Sequence, residues 1–336
     1  MANRRLLSRV FLLAGLLLGG GLLFALIKQT GPQNLLDNLL LFGLAPLLGF
    51  IGISFVNFAL YTWRWKLILD DMVPPQQRIG FVKLFMHRMS GFAAGYLTPA
   101  AQVAGEPIRV AMVRADGVPL QPATSSVVLD LAFEITSFIV YVMAGLGLAF
   151  AQGLGAGGGL MLPLVFILIL LAVFGSFFVF TVSGAGFFHR ILGVTGLSRF
   201  KPVKNFEVWL EGTERLMTKF FVGKRAKIFF IVGLSFVMTA FRAVEVTFIS
   251  HFFGFDITVR DAFLMSTLPG VALLLPIPAG IGVFEGSNAA MFALLGIGIN
   301  PIAFTMIVRA RDLLFIAIGV IHAVFRGEKV IYAKHS

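Results

Sequence analysis

The chain contains no cysteine, which removes disulfides, thiolate nucleophiles and cysteine-ligated metals from consideration and leaves the redox compartment unread. Its five histidines, His87, His189, His251, His322 and His335, lie far apart with no HxxxH or HExxH spacing, so no metal site is predicted. A phosphate-binding loop is also missing. The run GLGAGGG at 153–159 has no following Lys-Ser/Thr and follows no strand, and it reads as a flexible outer connection. Without a nucleotide motif, any energy source is a proton, ion or lipid gradient, and no cofactor is predicted. Charge is scarce as well: 13% of residues are charged, about half the share of a soluble domain, while 58% are apolar and the mean hydropathy is +0.93. A water-soluble surface cannot be assembled from this composition. The net charge of +11 therefore reads as the loop Lys/Arg excess of a membrane protein, and no nucleic-acid partner is predicted.

What the chain does have is long apolar runs. Segments 10–27, 40–61, 122–150, 160–182, 228–253 and 301–325 are each long enough to cross about 30 Å of hydrocarbon. The first, behind Arg4, Arg5 and Arg9, resembles a signal peptide, but no small-x-small cleavage site and polar mature segment follow it, so it is read as a retained span. Two further regions, 81–113 and 262–295, are apolar but interrupted by Pro, Gly and one acid each. The sizeable polar insert, 186–227, carries Phe206, Trp209, Leu210, Leu216, Met217, Phe220 and Phe221 at helical spacing. Glu207, Glu211, Glu214, Arg215 and Lys219 take the other face, which predicts an amphipathic helix lying on the membrane.

Nineteen Lys/Arg, Arg64 and Lys66 among them, fall in the N-terminus, the segment after the second span, the insert and the tail, against Lys28 and Arg260 on the other side. That bias puts both termini in the cytoplasm of an inner-membrane protein. Six crossings then fit only if 81–113 and 262–295 each enter and leave on one side, as re-entrant hairpins buried in protein or lining a wet cavity. The predicted fold is an all-α polytopic membrane protein of six full spans plus two re-entrant hairpins. The single transmembrane domain, 1–336, divides into a helix pair at 10–61, a first repeat at 81–150, the insert at 186–227 and a second repeat at 262–325.

The word repeat rests on a constant offset of 179. It aligns Met86, Gly91, Ala93, Pro99, Ala100, Glu106, Ala111, Met112, Gly117 and Pro122 with identical residues at 265, 270, 272, 278, 279, 285, 290, 291, 296 and 301. These are ten identities in 37 residues without a gap. Three full spans separate the two units, so the second enters from the opposite face, and inverted repeats with matched broken helices point to a transporter's central site. Pro99, Gly105 and Pro107 in the first unit, and Pro278, Gly280, Gly282 and Gly286 in the second, are the predicted hairpin-forming positions.

The first unit, GYLTPAAQVAGEPIRVAMVRADGV followed by SSVVLDLAFE, resembles the first signature of the lysylphosphatidylglycerol synthase transmembrane, or flippase-like, family. The second, LLLPIPAGIGVFEGSNAAMFALLGI, resembles its Pro-Gly-Gly-x-Gly-x-x-Glu signature, with Ala279 where Gly is usual, and WRWKLIL at 63–69 is similar to its Arg-Trp segment. The resemblance implies a module that moves aminoacylated phosphatidylglycerol, or another lipid such as a polyprenyl-linked one, between leaflets. The sequence ends at Ser336 soon after the last span, so the family's aminoacyl-transferase part, and with it lipid synthesis, is not expected.

Charges inside spans cost roughly 2.5–3.5 kcal/mol on insertion scales, which makes each a functional candidate. They are Arg88, Glu106 and Arg109 in the first unit, Glu285 in the second, Asp130 with Glu134, Arg309 with Arg311 and Asp312, and Arg242 with Glu245. Asp130 and Glu134, Arg242 and Glu245, and Arg309 and Asp312 share helix faces by spacing. One reading makes these neutralising pairs. The other makes Arg109, Arg309 and Arg311 a guanidinium cluster for a lipid phosphate. Glu106 and Glu285 are then caps for the opposite hairpin's backbone, or counter-charges and proton carriers; Arg109 is alternatively a snorkelling residue at a hairpin end. The expected partner is a membrane lipid, phospholipid or polyprenyl, with a homodimer or a lipid-biosynthesis enzyme as further partners. No enzymatic activity is expected; an intramembrane transferase or hydrolase using Asp130, Glu134 or Glu106 as base, and a scaffold of a lipid-biosynthesis complex, are the rival readings.

Overall fold

The computed structural model of the protein describes residues 32–97, 105–154, 159–194, 201–274 and 282–332. The expected span at 10–27 and the hairpin positions Pro99, Pro278 and Gly280 lie outside them. The described residues form twelve α-helices and two 3-10 segments, with no strand among them. In order these are α1 (Pro32–Phe42), α2 (Leu44–Leu69), α3 (Phe81–Leu97), α4 (Gly105–Ala115), α5 (Leu120–Ala151), α6 (Met161–Val182), α7 (Phe187–Val194), α8 (Lys201–Phe221), α9 (Arg225–Phe252), α10 (Val259–Thr267), α11 (Val283–Leu295) and α12 (Pro301–Tyr332). A 3-10 segment, Pro269–Leu274, follows α10.

Four of these helices, α2, α5, α6 and α9, are long and apolar enough to cross a membrane. They divide by what surrounds them. Of its most apolar stretch α5 has 56% buried, which makes it the central strut, whereas α6 has 17% and turns Leu162, Ile169 and Val179 outward. A helix apolar all round that buries so little of itself needs hydrocarbon as its solvent. Turn chemistry sets the boundaries. Gly117 and Gly296, at φ +93° and +65°, take the left-handed conformation after α4 and α11, and Pro122 and Pro301 then stand in the first turns of α5 and α12.

One helix departs from expectation. α2, predicted to end at 61, continues about two turns to Leu69 and carries Arg64 and Trp65 into the core, both with no exposed surface. Arg64 is thus not a loop cation: carboxylates on α5 neutralise it, so the helix need not surface there. The predicted amphipathic helix is present as α8, but Met217 and Phe220 pack on Ile68, Leu129 and Phe177 and Leu210 is buried, so protein covers its apolar face. Glu214, expected on the polar face, is buried, because its Oε1 accepts the Phe188 N–H at 2.6 Å, an otherwise unpaired donor at the start of α7.

α3 is gripped from two sides. A Cβ added to Gly105 would overlap the Gly91 backbone, and one added to Gly91 would stand 2.6 Å from Cγ of Arg109, so α3 and α4 cross backbone to backbone. On the other side Gly319 of α12 presses on the Met89 carbonyl, and Ser90 Oγ donates to the Gly319 carbonyl at 2.9 Å. Near the end of this pair, Asp116, in the turn before α5, receives Lys83 (2.7 Å), His87 (2.7 Å) and Arg326. Burial pushes the Asp116 carboxyl up, but the hydrogen bonds from His87 and Lys83, with the His87 and Arg326 charges, outweigh it and hold it well below the usual carboxylate range.

Two outcomes are expected from thermal unfolding in detergent. Gly105→Leu forces α4 off α3 and destabilises by at least about 1–3 kcal/mol, the usual cost of overpacking; an unchanged transition would mean the helices do not touch there. Asp116 contributes stability above about pH 4, where the unfolded carboxyl is ionised, and that contribution is lost as pH falls towards its depressed folded value. Asp116→Asn is therefore less stable than the parent at pH 7, with the gap closing towards pH 2. A gap independent of pH would contradict the assignment.

Candidate functional site

Asp130 sits a third of the way along α5 with no exposed surface, and three guanidinium groups converge on it. Oδ1 accepts from Nε of Arg64 at 2.8 Å, and Oδ2 from Arg88 Nη1 at 2.8 Å and Arg109 Nη2 at 2.5 Å. Arg64 Nη2 also donates to the Asp130 carbonyl at 3.0 Å. One helical turn on, Glu134 Oε2 accepts from Arg88 at 2.6 Å and Arg64 at 3.1 Å. Glu106 accepts from Arg109 Nη1 at 2.7 Å, and the Arg109 guanidinium lies 4.0 Å over the Trp65 ring. Three arginines from α2, α3 and α4 thus meet three carboxylates from α4 and α5, a balanced set of charge-assisted bonds.

A second group joins α12 to α2, α3, α9 and α11. Arg309 donates through Nε and Nη2 to Glu285 Oε1 at 3.0 and 2.7 Å, and through Nη1 to the Tyr96 hydroxyl. That hydroxyl donates in turn to Asp312 Oδ2 at 2.7 Å. Arg311 binds Asp312 at 2.9 Å and Glu245 at 3.1 Å, and Ser54 donates to Glu245 at 2.6 Å. The second oxygen of Glu285 accepts the Gly282 N–H at 2.8 Å, which closes the first turn of α11.

Between the two groups lies a cavity of about 270 Å³. Arg88, Glu106, Arg109 and Glu134 line it from the first group, and Arg309, Arg311, Asp312 and Glu245 from the second. Apolar walls are supplied by Phe58, Phe92, Phe138 and Phe304. Polar side chains set among apolar walls in a pocket between helices are the usual make-up of a ligand site.

Nine of the eleven charged positions read from sequence therefore line one cavity, with Asp130 and Glu285 bonded to arginines in its wall, but their partners differ from those the spacing predicts. Arg109, Arg309 and Arg311 do not form one cluster, because carboxylates on different helices claim each separately. Arg109 is buried at 3% exposure, which rules out the snorkelling alternative. Glu245 is taken by Arg311 and Ser54, so Arg242, expected to pair with it, lies instead over the Phe138 ring at 4.9 Å. Arg309 reaches Glu285 rather than Asp312, since Tyr96 stands between them. Glu285 caps its own helix, not the opposite hairpin. Of the hairpin positions, Gly105, Gly282 and Gly286 are described: Gly105 makes the helix crossing, Gly282 precedes α11 at φ +81°, and Gly286 lies in its first turn. Pro107 stands within the first turn of α4. Tyr96 and Arg64 were missed: a tyrosine among apolar residues gives no signal, and Arg64 looked like a loop residue beside Lys66.

These features define a multi-pass helical membrane protein with a charged internal cavity. Residues 12–319 match the family described as the lysylphosphatidylglycerol synthase TM region, and the chain belongs to it. It is similar to a UPF0104 membrane protein of Methanothermobacter thermautotrophicus, with 25% identity over 291 residues, 82% of this chain and 83% of that one. A second UPF0104 membrane protein of the same organism is 25% identical over 351 aligned positions, covering 96% of this chain and 91% of the relative.

Removing the central carboxylate leaves three buried guanidinium groups short of a partner. Asp130→Asn is expected to cost about 3–5 kcal/mol, the range for breaking a buried ion pair from one side. Glu134→Gln, at a side chain 34% exposed, should cost much less. Equal yields and equal melting of the two variants in detergent would contradict the central role of Asp130.

Proposed function

We propose that the protein moves a lipid with a polar, phosphate-bearing headgroup between the leaflets of the cell's inner membrane. The headgroup passes through the central cavity while the tails stay in hydrocarbon. The observation that carries this reading is the cavity itself, walled by ionised groups that a membrane interior tolerates only when they are paired or functional. The organisation proposed with it is six full spans, 10–27 included, and two re-entrant hairpins, α3–α4 and α10–α11, in an inverted repeat. Element boundaries support it: shifted by 179, Gly105–Ala115 falls on 284–294, against Val283–Leu295 for α11. So do the equivalent Glu106 and Glu285, each answered by an arginine facing the same cavity. Both termini are cytoplasmic in this reading, and the charge bias behind it survives the removal of Arg64 from the loop count.

Transport rather than chemistry is proposed because each cavity acid already accepts from an arginine, which leaves none poised as a general base. The test is movement of fluorescent lipids, anionic, aminoacylated and polyprenyl-phosphate, in proteoliposomes holding the full chain. Selective movement should fall at least about ten-fold in Glu106→Gln, Glu285→Gln and Arg309→Ala with the proteins still folded, the loss of a buried charge-assisted bond. No movement of any lipid above empty vesicles would defeat the reading.

A further inference from the structure

Two histidines that do not line the cavity meet where α3 packs on α12. His87 Nε2 stands 2.7 Å from Asp116 Oδ2, and the His322 ring faces the His87 ring with their centroids 5.3 Å apart. The Ser90 hydroxyl, whose single hydrogen goes to the Gly319 carbonyl, lies 2.9 Å from His322 Nδ1. That contact places the ring proton on Nδ1 and leaves Nε2 of His322 as the nitrogen open to a second proton. His322 is only partly buried, so a proton can reach it without prior movement of the helices. The other nitrogen of His87, Nδ1, is buried and has no hydrogen-bond partner among the described residues.

The charged groups around this pair are Lys83 on α3, Asp116 in the turn before α5 and Arg326 on α12. Asp116 is the one carboxylate among them, and Lys83, His87 and Arg326 already converge on it. A proton arriving at His322 therefore adds a positive charge beside His87 and Arg326, with no second acid to answer it. The charge also lands where the helices can least absorb it. Gly319 presses on the Met89 carbonyl, so the two backbones touch within a turn of both rings. Close-packed contacts do not deform gradually, and histidine protonation at such a contact is relieved by moving one element off the other. Both helices wall the cavity, α3 through Arg88, Phe92 and Tyr96 and α12 through Arg309, Arg311 and Asp312. We infer that His322 and His87 form a proton-operated joint, in which a proton taken up by His322 parts this end of α12 from α3 and widens the cavity towards it. The joint stands on these contacts; that its widening admits a headgroup, and that the proton comes from the cytoplasm, rests on the transport reading and its orientation.

The chain has no cysteine, so two introduced cysteines carry spin labels at known positions and nowhere else. Val82 on α3 and Phe325 on α12 are exposed and next in sequence to Lys83 and Arg326. With both changed to Cys, pulsed electron paramagnetic resonance reads the distance between the helix ends in the full chain in lipid vesicles, at about pH 7.5 and about pH 5.5, on either side of the ordinary imidazole value. Asp116, held below the usual carboxylate range, stays ionised across this interval and contributes no response. The ratio of parted to closed molecules should rise by up to about ten-fold per pH unit lost, the limit for one extra proton bound in the parted state. His322→Gln should stay closed at both pH values, and His322→Lys, charged at both, should stay parted at both. A distance that ignores pH, or one that responds equally in His322→Gln, overturns the inference. If His322→Gln does not fold, a distance in His322→Lys that still follows pH as the parent's does overturns it. Movement of the fluorescent lipids is read in the same vesicles: pH-dependent parting without movement of any lipid defeats transport and keeps the joint, while movement with a distance indifferent to pH does the reverse.

Discussion

The Asp130 carboxylate is the constraint on which the rest of this structure depends. It sits fully buried on the most enclosed long helix and takes a guanidinium from each of three others, α2, α3 and α4. An ionised carboxylate at that depth is prohibitive alone, and so is each arginine. Together they are tolerable only if the three helices stand within one side chain's reach of α5. That condition reaches back into the backbone: α3 and α4 can both present an arginine to one carboxylate because Gly91 and Gly105 let them cross in contact. It reaches into α2 as well, since Arg64 arrives only because the helix continues past the point where its composition turns polar.

An apolar cluster of the same volume would hold these helices together at least as well, because removing two charges from water is repaid by their attraction only when the geometry is good. The ion pairs therefore need a reason beyond stability, and the cavity supplies one. Glu134 and Glu106 are simultaneously partners within the Asp130 group and walls of the cavity, and Glu245, Asp312 and Arg311 are so in the second group. A polar molecule entering meets groups already oriented by their neighbours, so little ordering remains to be done on binding. Groups held this way can also exchange partners, because an arginine bonded to two acids keeps one while it turns towards a third.

Much of this was legible in the sequence, for physical reasons that also mark where legibility stops. Span lengths follow from the bilayer, so α5, α6 and α9 begin and end within a few residues of their apolar runs. Gly117 with Pro122, and Gly296 with Pro301, announce a stop and a start in the chain's own local chemistry, and they fall where helices end and begin. Which residues carry the cavity's charge was legible too, because a charge in an apolar run is rare enough to stand out. Their pairing was not. Spacing of three or four puts two side chains on one helix face, but it cannot show that Ser54 and Arg311 reach Glu245 first, or that Tyr96 separates Arg309 from Asp312. The length of α2 failed for a related reason: Trp-Arg-Trp-Lys looks like an interfacial end until the acids that neutralise Arg64, more than sixty residues further on, are known to be beside it.

The two charged groups are not equivalent, and the difference bears on how a headgroup could pass. At the offset of 179 the hub of the first group, Asp130, corresponds to Arg309 in the second, so an acid ringed by bases faces a base held by an acid and a phenol. A phosphate is repelled by the carboxylates of both groups and attracted by the cations of both. In the proposed reading its path is the line between them, where Glu134 and Glu245 are already neutralised by arginines and Arg242 has no carboxylate partner among the described residues. On that reading a phosphate can pass close to both hubs because each is already paired, Asp130 with three arginines and Arg309 with Glu285.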